Sequence, residues 1–352
     1  GVGSFRTACE FSHFAYDDPL LYPNQPGAAH LHMFFGNTDA NAYTTYESLR
    51  DRGSGTCNGM ELNRTGYWAP ALFDAQGRVR VPERIIVYYK GYGLGQGRSQ
   101  PYPERAAMIT RSGGEDVHAI SWDRGGTLGP GTSDFTFQCT DQYRSTPRTP
   151  AANTIPVCTP RPNRRVLEMH VKFPMCWNGE DPAQWTNWGL PTVGSWWWGD
   201  CGGRAIVPHI EYLIAYPLEP GESTAGWYLS SDVDPVTRRL ARDPGSTSHA
   251  DWWGAWKPEV IRDWVANCVN FRDTQPHGCG FGYLTNGGPD GGNPYPGPAL
   301  RYRPEYTGPM TVAATTLHRE LCPGGPAITS AAGAAYCRPA GSAGTNTAHH
   351  SH

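Results

Sequence analysis

The chain has 352 residues and a formal net charge of −3, with 12% aromatic and 17% charged residues. Low charge with many aromatics excludes a disordered chain and points to an aromatic-rich core. The near-neutral balance argues against a general nucleic-acid binder, which needs a basic patch to neutralise phosphates.

Gly (43) and Pro (32) make up about a fifth of the residues, which disfavours long helices, coiled coils and collagen. Of the 29 basic residues only Lys90, Lys172 and Lys257 are lysines, a bias that reads as genome composition. No apolar run approaches the ~18 residues that span a bilayer.

Taken in chain order, residues 1–26 read as irregular, with turn signals at Asp17-Asp18-Pro19 and Tyr22-Pro23-Asn24. His30 to Phe35 reads as a strand bounded by Gly27 and Gly36. Side chains alternate across a strand, so His30, His32 and Phe34 share one face and Leu31, Met33 and Phe35 the other, expected to be the core. Further strands are predicted at Ile85–Tyr89, Val166–Phe173, Ile210–Tyr216 and Gly226–Leu229, where β-branched and aromatic residues dominate. Pro258 to Val269 predicts a helix with proline at its first position. Its apolar stripe is Val260, Ile261, Trp264, Val265, Cys268 and Val269. Residues 272–308 read as loops. From Pro323 onward the Ala/Gly/Ser-rich composition predicts a weakly ordered tail, pinned only by Cys337. The expected fold is mainly β: a β-sandwich, jelly-roll-like, with one principal α-helix and long disulfide-stapled loops. It is expected as one domain over residues 1–322, with a tail over 323–352.

Ten cysteines are spread along the chain without a CxxC pair, which weakens zinc-ribbon and thioredoxin readings. An even, dispersed count fits an oxidised extracellular protein. Sequential pairing predicts Cys9–Cys57, Cys139–Cys158, Cys176–Cys201, Cys268–Cys279 and Cys322–Cys337. With no leader visible at Gly1, the chain is read as a mature secreted form. Asn63-Arg-Thr65 fits the N-glycosylation triplet.

Three features could carry chemistry. His30-x-His32 places two imidazoles on one strand face, ~6.5–7 Å apart at Cα, able to converge on one metal or substrate. His249-Ala-Asp251 places an imidazole and a carboxylate on one face, and tryptophans follow at 252, 253 and 256. Five more tryptophans (Trp185, Trp188, Trp196, Trp197, Trp198) lie between Cys176 and Cys201, where flat apolar rings could hold sugar faces. The alternative for each is a structural role: satisfied histidines, and tryptophans anchoring the core. The terminal His349-His350-Ser351-His352 reads as an unstructured tail. Signatures of serine hydrolases, HExxH metalloproteases, P-loops and dinucleotide-binding folds are missing.

Several of these residues recur in order in a known family. Asp18-Pro19, Gly27, His30-Leu-His32 and Gly36 resemble the opening of DUF1996 proteins. Asn63-Arg-Thr-Gly-Tyr67-Trp68-Ala-Pro70, the Tyr88-Tyr89 pair, Phe173-Pro-Met-Cys176-Trp177-Asn178-Gly179 and His249-Ala-Asp251 with its tryptophans resemble later family motifs. Together they cover about residues 17–270. The resemblance implies a secreted protein in a carbohydrate or cell-wall setting. It points to Asp18, His30, His32, Tyr67, Trp177, His249 and Asp251. Asn63 and Asn178 stand where the family usually has aspartate, and a Trp-rich loop replaces a His-containing segment after Cys176.

These readings combine into three expectations. The first is a polysaccharide-cleaving enzyme with Asp18, His30, His32, His249 and Asp251 in one cleft. Its sugar platforms would be Tyr67, Trp177, Trp185, Trp188, Trp196, Trp197 and Trp253. The second is an extracellular copper or zinc protein with His30, His32 and His249 as ligands. The third is a non-catalytic wall-binding module. The partner in each polysaccharide case is a cell-wall glycan, with no nucleic acid and no membrane span.

Overall fold

The computed structural model describes residues 3–91, 101, 107–111, 119–120, 135–141, 152–162, 165–173, 175–177, 205–240, 243–270, 278–279 and 307–342. Two six-stranded sheets dominate. The first runs Phe135–Asp141, Arg165–Lys172, His209–Leu218, Arg84–Lys90, Ser4–Cys9 and Gly278–Cys279. The second runs Phe11–Ala15, His32–Gly36, Gly66–Pro70, His249–Trp253, Ala107–Arg111 and Ala119–Ile120. Pairing is antiparallel throughout except between Ser4–Cys9 and Gly278–Cys279. A four-stranded sheet (Tyr228–Leu229, Leu72–Phe73, Arg78–Arg80, Thr311–Ala313) and the pair Cys176–Trp177 with Ala205–Ile206 complete the β-structure.

The two large sheets face each other as a β-sandwich. Strand alternation turns Leu167, Met169, Val171, Ile210, Tyr212, Ile214 and Tyr216 of the first sheet inward, where they meet Met33, Phe35, Tyr67 and Trp252 of the second. The tyrosine hydroxyls do not stay idle in this interior. Tyr212 donates to the Asp251 carbonyl at 2.8 Å. The Tyr67 and Tyr89 hydroxyls lie 2.9 Å apart, and the indole N–H groups of Trp252 and Trp256 donate to Tyr89 at 3.3 and 3.1 Å. Buried aromatics with polar tips need such partners.

The predicted helix forms with proline at its start, as an α-helix over Pro258–Trp264 followed by a π-helical turn over Val265–Val269. All six residues of its predicted stripe are buried, and Trp264 stacks on Phe5 with ring centroids 5.0 Å apart. Two shorter helices, Tyr46–Asp51 and Ala314–Leu321, carry no strong signal in the sequence.

Other expectations are corrected. Residues 1–26 are not wholly irregular, because Ser4–Cys9 and Phe11–Ala15 are strands. The strand expected from His30 begins at His32, and His30 is held instead by a lone bridge to Tyr336. The face that Phe34 shares with His32 carries apolar packing of its own: with Trp68, Leu20, Leu21 and Tyr22, Phe34 forms a second apolar cluster on the outer face of the second sheet. Gly36, at the end of that strand, has φ +82°, and a Cβ there would lie 2.0 Å from the Thr65 carbonyl, so only glycine fits. The segment after Pro323 is more than a tail pinned by Cys337, since Ala334, Ala335 and Tyr336 are buried against the core.

Four predicted disulfides are present: Cys9–Cys57, Cys139–Cys158, Cys268–Cys279 and Cys322–Cys337. The fifth would use Cys201, which lies outside the described residues. Asn63 is fully buried and donates to the Tyr67 hydroxyl, so the Asn63-Arg-Thr65 triplet offers no glycan acceptor in the folded chain. No helix among the described residues is long and apolar enough to cross a membrane.

Candidate metal centre

The outer face of the second sheet builds the site. Antiparallel register sets His32 opposite Pro70, and Trp68 opposite Asp251. Continued by two residues, the same register brings His249 level with Pro70. His32 and His249 therefore flank a proline in one row across three strands. Strands lie about 4.8 Å apart, so the two Cα atoms are roughly 10 Å apart and the imidazoles can meet over the low proline ring. His30, two residues ahead of His32 in the chain, comes in from the end of the strand.

The three rings meet through their Nε2 atoms. His249 Nε2 is 3.0 Å from His30 Nε2 and 3.4 Å from His32 Nε2. The other ring nitrogens point away, each to an oxygen. His32 Nδ1 lies 2.9 Å from the Asp17 carbonyl, and His249 Nδ1 lies 3.1 Å from the Thr247 carbonyl. A carbonyl only accepts, so both Nδ1 atoms carry the proton. His30 Nδ1 lies 2.9 Å from Ser230 Oγ, and the Ser230 hydroxyl is itself spent on the Leu31 carbonyl at 2.6 Å. His30 Nδ1 is therefore the donor as well. In neutral rings this tautomer leaves all three Nε2 atoms with an electron pair aimed at a common point.

Burial keeps the His32 ring neutral. His32 is 1% exposed, and desolvation pulls its pKa down to about 4 against the smaller upward pull of the Asp17 carbonyl and charge. His30 and His249 are 6% and 8% exposed, so they form the edge nearest solvent.

Two carboxylates stand beside the triad. One ligand atom from each of Asp18, His32 and Asp251 lies within 4.8 Å of the others. His32 also belongs to the His30–His32–His249 group, defined by the same spacing. Asp251 shares the strand face of His249. Asp18 is fixed by a turn, with its Oδ1 accepting from the backbone N–H of Leu20 at 3.0 Å and of Leu21 at 2.9 Å. Asp17 caps the same loop through Gly27 N and Ala42 N. All five residues named for catalysis (Asp18, His30, His32, His249 and Asp251) thus gather in one place.

Tyr67, one of the named aromatic residues, does not join them. Tyr67 points to the opposite face, into the sandwich, where it bonds Tyr89 and Asn63. Trp252 and Trp256 are likewise buried in that core, and Trp253 packs half-buried on the outer cluster. Tyr67, Trp252 and Trp256 anchor the sheet and offer no open sugar platform, whereas Trp253 lies on the strand face of His249 and Asp251. The side chain of Trp177, and all of Trp185, Trp188, Trp196 and Trp197, lie outside the described residues, as do His349, His350 and His352. His209 belongs to the first sheet, 3.3 Å from Glu211, away from this row.

Sequence reasoning did not reach Ser230, the Thr247 carbonyl or Tyr336, and it quoted Pro70 in a motif without a role. Thr247 is close in sequence to the recognised His249 motif. Ser230 is 200 residues from His30 and no local pattern marks it.

The motif-bearing stretches fit one family description. A model for the DUF1996 domain, a domain of unknown function, matches residues 18–256. The chain belongs to the DUF1996 family. The match begins at Asp18 and takes in His30, His32, Pro70, His249 and Asp251, so the centre lies within the family domain. No curated protein and no solved structure matches the chain.

Proposed function

We propose that His30, His32 and His249 hold one transition-metal dication, and that the protein is an extracellular metalloprotein. One observation carries this reading: three Nε2 atoms converge, at 3.0 and 3.4 Å from His249, while every Nδ1 is committed to an oxygen. A tetrahedral ion with metal–nitrogen bonds of about 2.0–2.1 Å sets its ligand nitrogens about 3.3 Å apart. Zinc fits this spacing best, and copper also favours imidazole. The buried carboxylates of Asp18 and Asp251 supply negative charge that offsets a dication. The four disulfides support an oxidising, extracellular location.

Three protein ligands leave a coordination position open, the pattern of reactive rather than purely structural zinc sites. A metal held there supplies Lewis acidity and lowers the pKa of coordinated water. The size of the reactant follows from burial. Asp18 and Asp251 are 1% and 0% exposed, so a polysaccharide chain cannot lie across them as an open-cleft glycosidase requires. A small molecule approaching past His30 and His249 is the class of ligand that fits.

The test is metal uptake. The chain is stripped with chelator, reloaded separately with zinc and with copper, and assayed by elemental analysis. About one equivalent is expected in the wild-type chain, with the affinity for it sharply weakened in each of His30→Ala, His32→Ala and His249→Ala. No uptake above background, or uptake indifferent to all three variants, would end the proposal.

A further inference from the structure

We infer that the C-terminal strap Ser330–Cys337, which lies beyond the matched family domain, is a positioning element of the metal centre that acts through His30. This rests on the metal reading above. His30 is the one ligand of the three outside a strand ladder, because its strand begins at His32. Its backbone needs another support, and the strap gives it. The Leu31 N–H donates to the Ala335 carbonyl at 2.7 Å, and His30 forms its lone bridge with Tyr336. The Tyr336 ring stands edge-on to the His30 imidazole, with centroids 6.2 Å apart.

The strap is itself tied at several points. The Tyr336 hydroxyl donates to the Val233 carbonyl at 2.9 Å, three residues past Ser230, which orients the same imidazole. The Tyr16 hydroxyl donates to the Ala334 carbonyl at 2.6 Å. The Arg238 guanidinium lies 4.4 Å over the Tyr336 ring, a cation–π contact. Cys337 joins Cys322 at the end of the helix Ala314–Leu321, so the strap is closed into a covalent loop. The Ala/Gly-rich composition here has a physical use. Ala334 and Ala335 are 1% and 0% exposed, and larger side chains would lift the strap from the sheet edge. Without the strap the centre keeps His32 and His249 on their strands and loses the fixed position of its third nitrogen.

The test uses the full chain and measures zinc affinity by chelator competition. Tyr336→Ala is expected to weaken zinc 10–100-fold, the range seen when groups that orient a ligand are removed. Tyr336→Phe keeps the ring on His30 and Arg238 and is expected to stay within about threefold of wild type. A double-mutant cycle gives a readout that general destabilisation would not move: in a His30→Ala background, Tyr336→Ala should cause almost no further loss. Cys322→Ser/Cys337→Ser gives a second arm, since it loosens the strap without removing an atom beside His30. Its zinc binding should weaken at least about fivefold. Wild-type affinity in both strap variants, or a Tyr336→Ala loss that persists in the His30→Ala background, would overturn the inference. Absence of zinc binding in the wild-type chain is a different result, and would remove the metal reading together with this one.

Discussion

Replacing Ser230 by alanine tests the tautomer argument without touching a ligand. Its hydroxyl accepts from His30 Nδ1 at 2.9 Å and donates to the Leu31 carbonyl at 2.6 Å. In Ser230→Ala the Leu31 carbonyl keeps its bond from Ala71 N at 2.9 Å, so no buried acceptor is orphaned. His30 Nδ1 falls back on the Leu31 carbonyl at 3.3 Å, a longer and poorer bond. The metal-free fold should therefore lose only about 1 kcal/mol. Metal affinity should lose more, because the proton on Nδ1 is what holds Nε2 toward the ion. Removing such an orienting group typically costs 10–100-fold, or about 1.4–2.8 kcal/mol. Zinc affinity by chelator competition and stability by urea titration separate the two quantities. Affinity equal to wild type would show that His30 needs no orienting partner. A stability loss as large as the affinity loss would show that Ser230 acts on the fold alone.

Acid should destabilise the metal-free protein through His32. His32 has a folded pKa near 4 against an ordinary 6.5, so the unfolded chain binds the extra proton first and stability falls as pH drops from 6.5 toward 4. At about 1.4 kcal/mol per pKa unit the window amounts to roughly 3 kcal/mol. Guanidinium titrations at pH 7 and pH 4 should show that part of the loss vanish in His32→Asn, and an unchanged slope would refute it. In the sandwich core, Tyr89→Phe removes the acceptor of the Trp256 indole N–H and the partner of the Tyr67 hydroxyl, and should cost about 2 kcal/mol of stability in a urea titration.

The legible parts of this fold are those whose pattern is local. Val166–Phe173 and Ile210–Tyr216 alternate apolar residues on one face, and they form adjacent central strands. Ser4–Cys9 was hidden because Thr7 interrupts its apolar run. The structure buries Thr7 by pairing its hydroxyl with the Asn58 carbonyl, 51 residues away. Gly66–Pro70 was hidden by its glycine and proline, which disfavour a central strand. The register explains both: Gly36 and Gly66 pair where the chains crowd, and Pro70 sits at the strand end between two histidines. The HxH and HxD spacings were readable because a period of two puts both members on one face. That these faces are the same face depends on which strand lies between them, and no local pattern specifies that. The strap was misread for a related reason. Small residues signal disorder by composition, yet they are also what a close-fitting segment requires.

The arrangement of the triad is hard to account for as packing alone. When neutral, three imidazoles with their Nε2 atoms 3.0 and 3.4 Å from a common member set electron pairs against one another in a buried setting. A single added proton can relieve one such contact, and burial opposes that proton, as the lowered pKa of His32 shows. A structural role would be met more cheaply by apolar side chains, as at Phe34 and Trp68, which stack at 5.4 Å on the same sheet face. A cation placed among the three nitrogens turns every one of these repulsions into a bond at once. The four supports of the ring orientations, from the Asp17 carbonyl, the Thr247 carbonyl, Ser230 and Tyr336, come from stretches scattered between residues 17 and 336. Separate parts of the chain thus converge to aim three nitrogens, and the proposed coordination uses that aim in full.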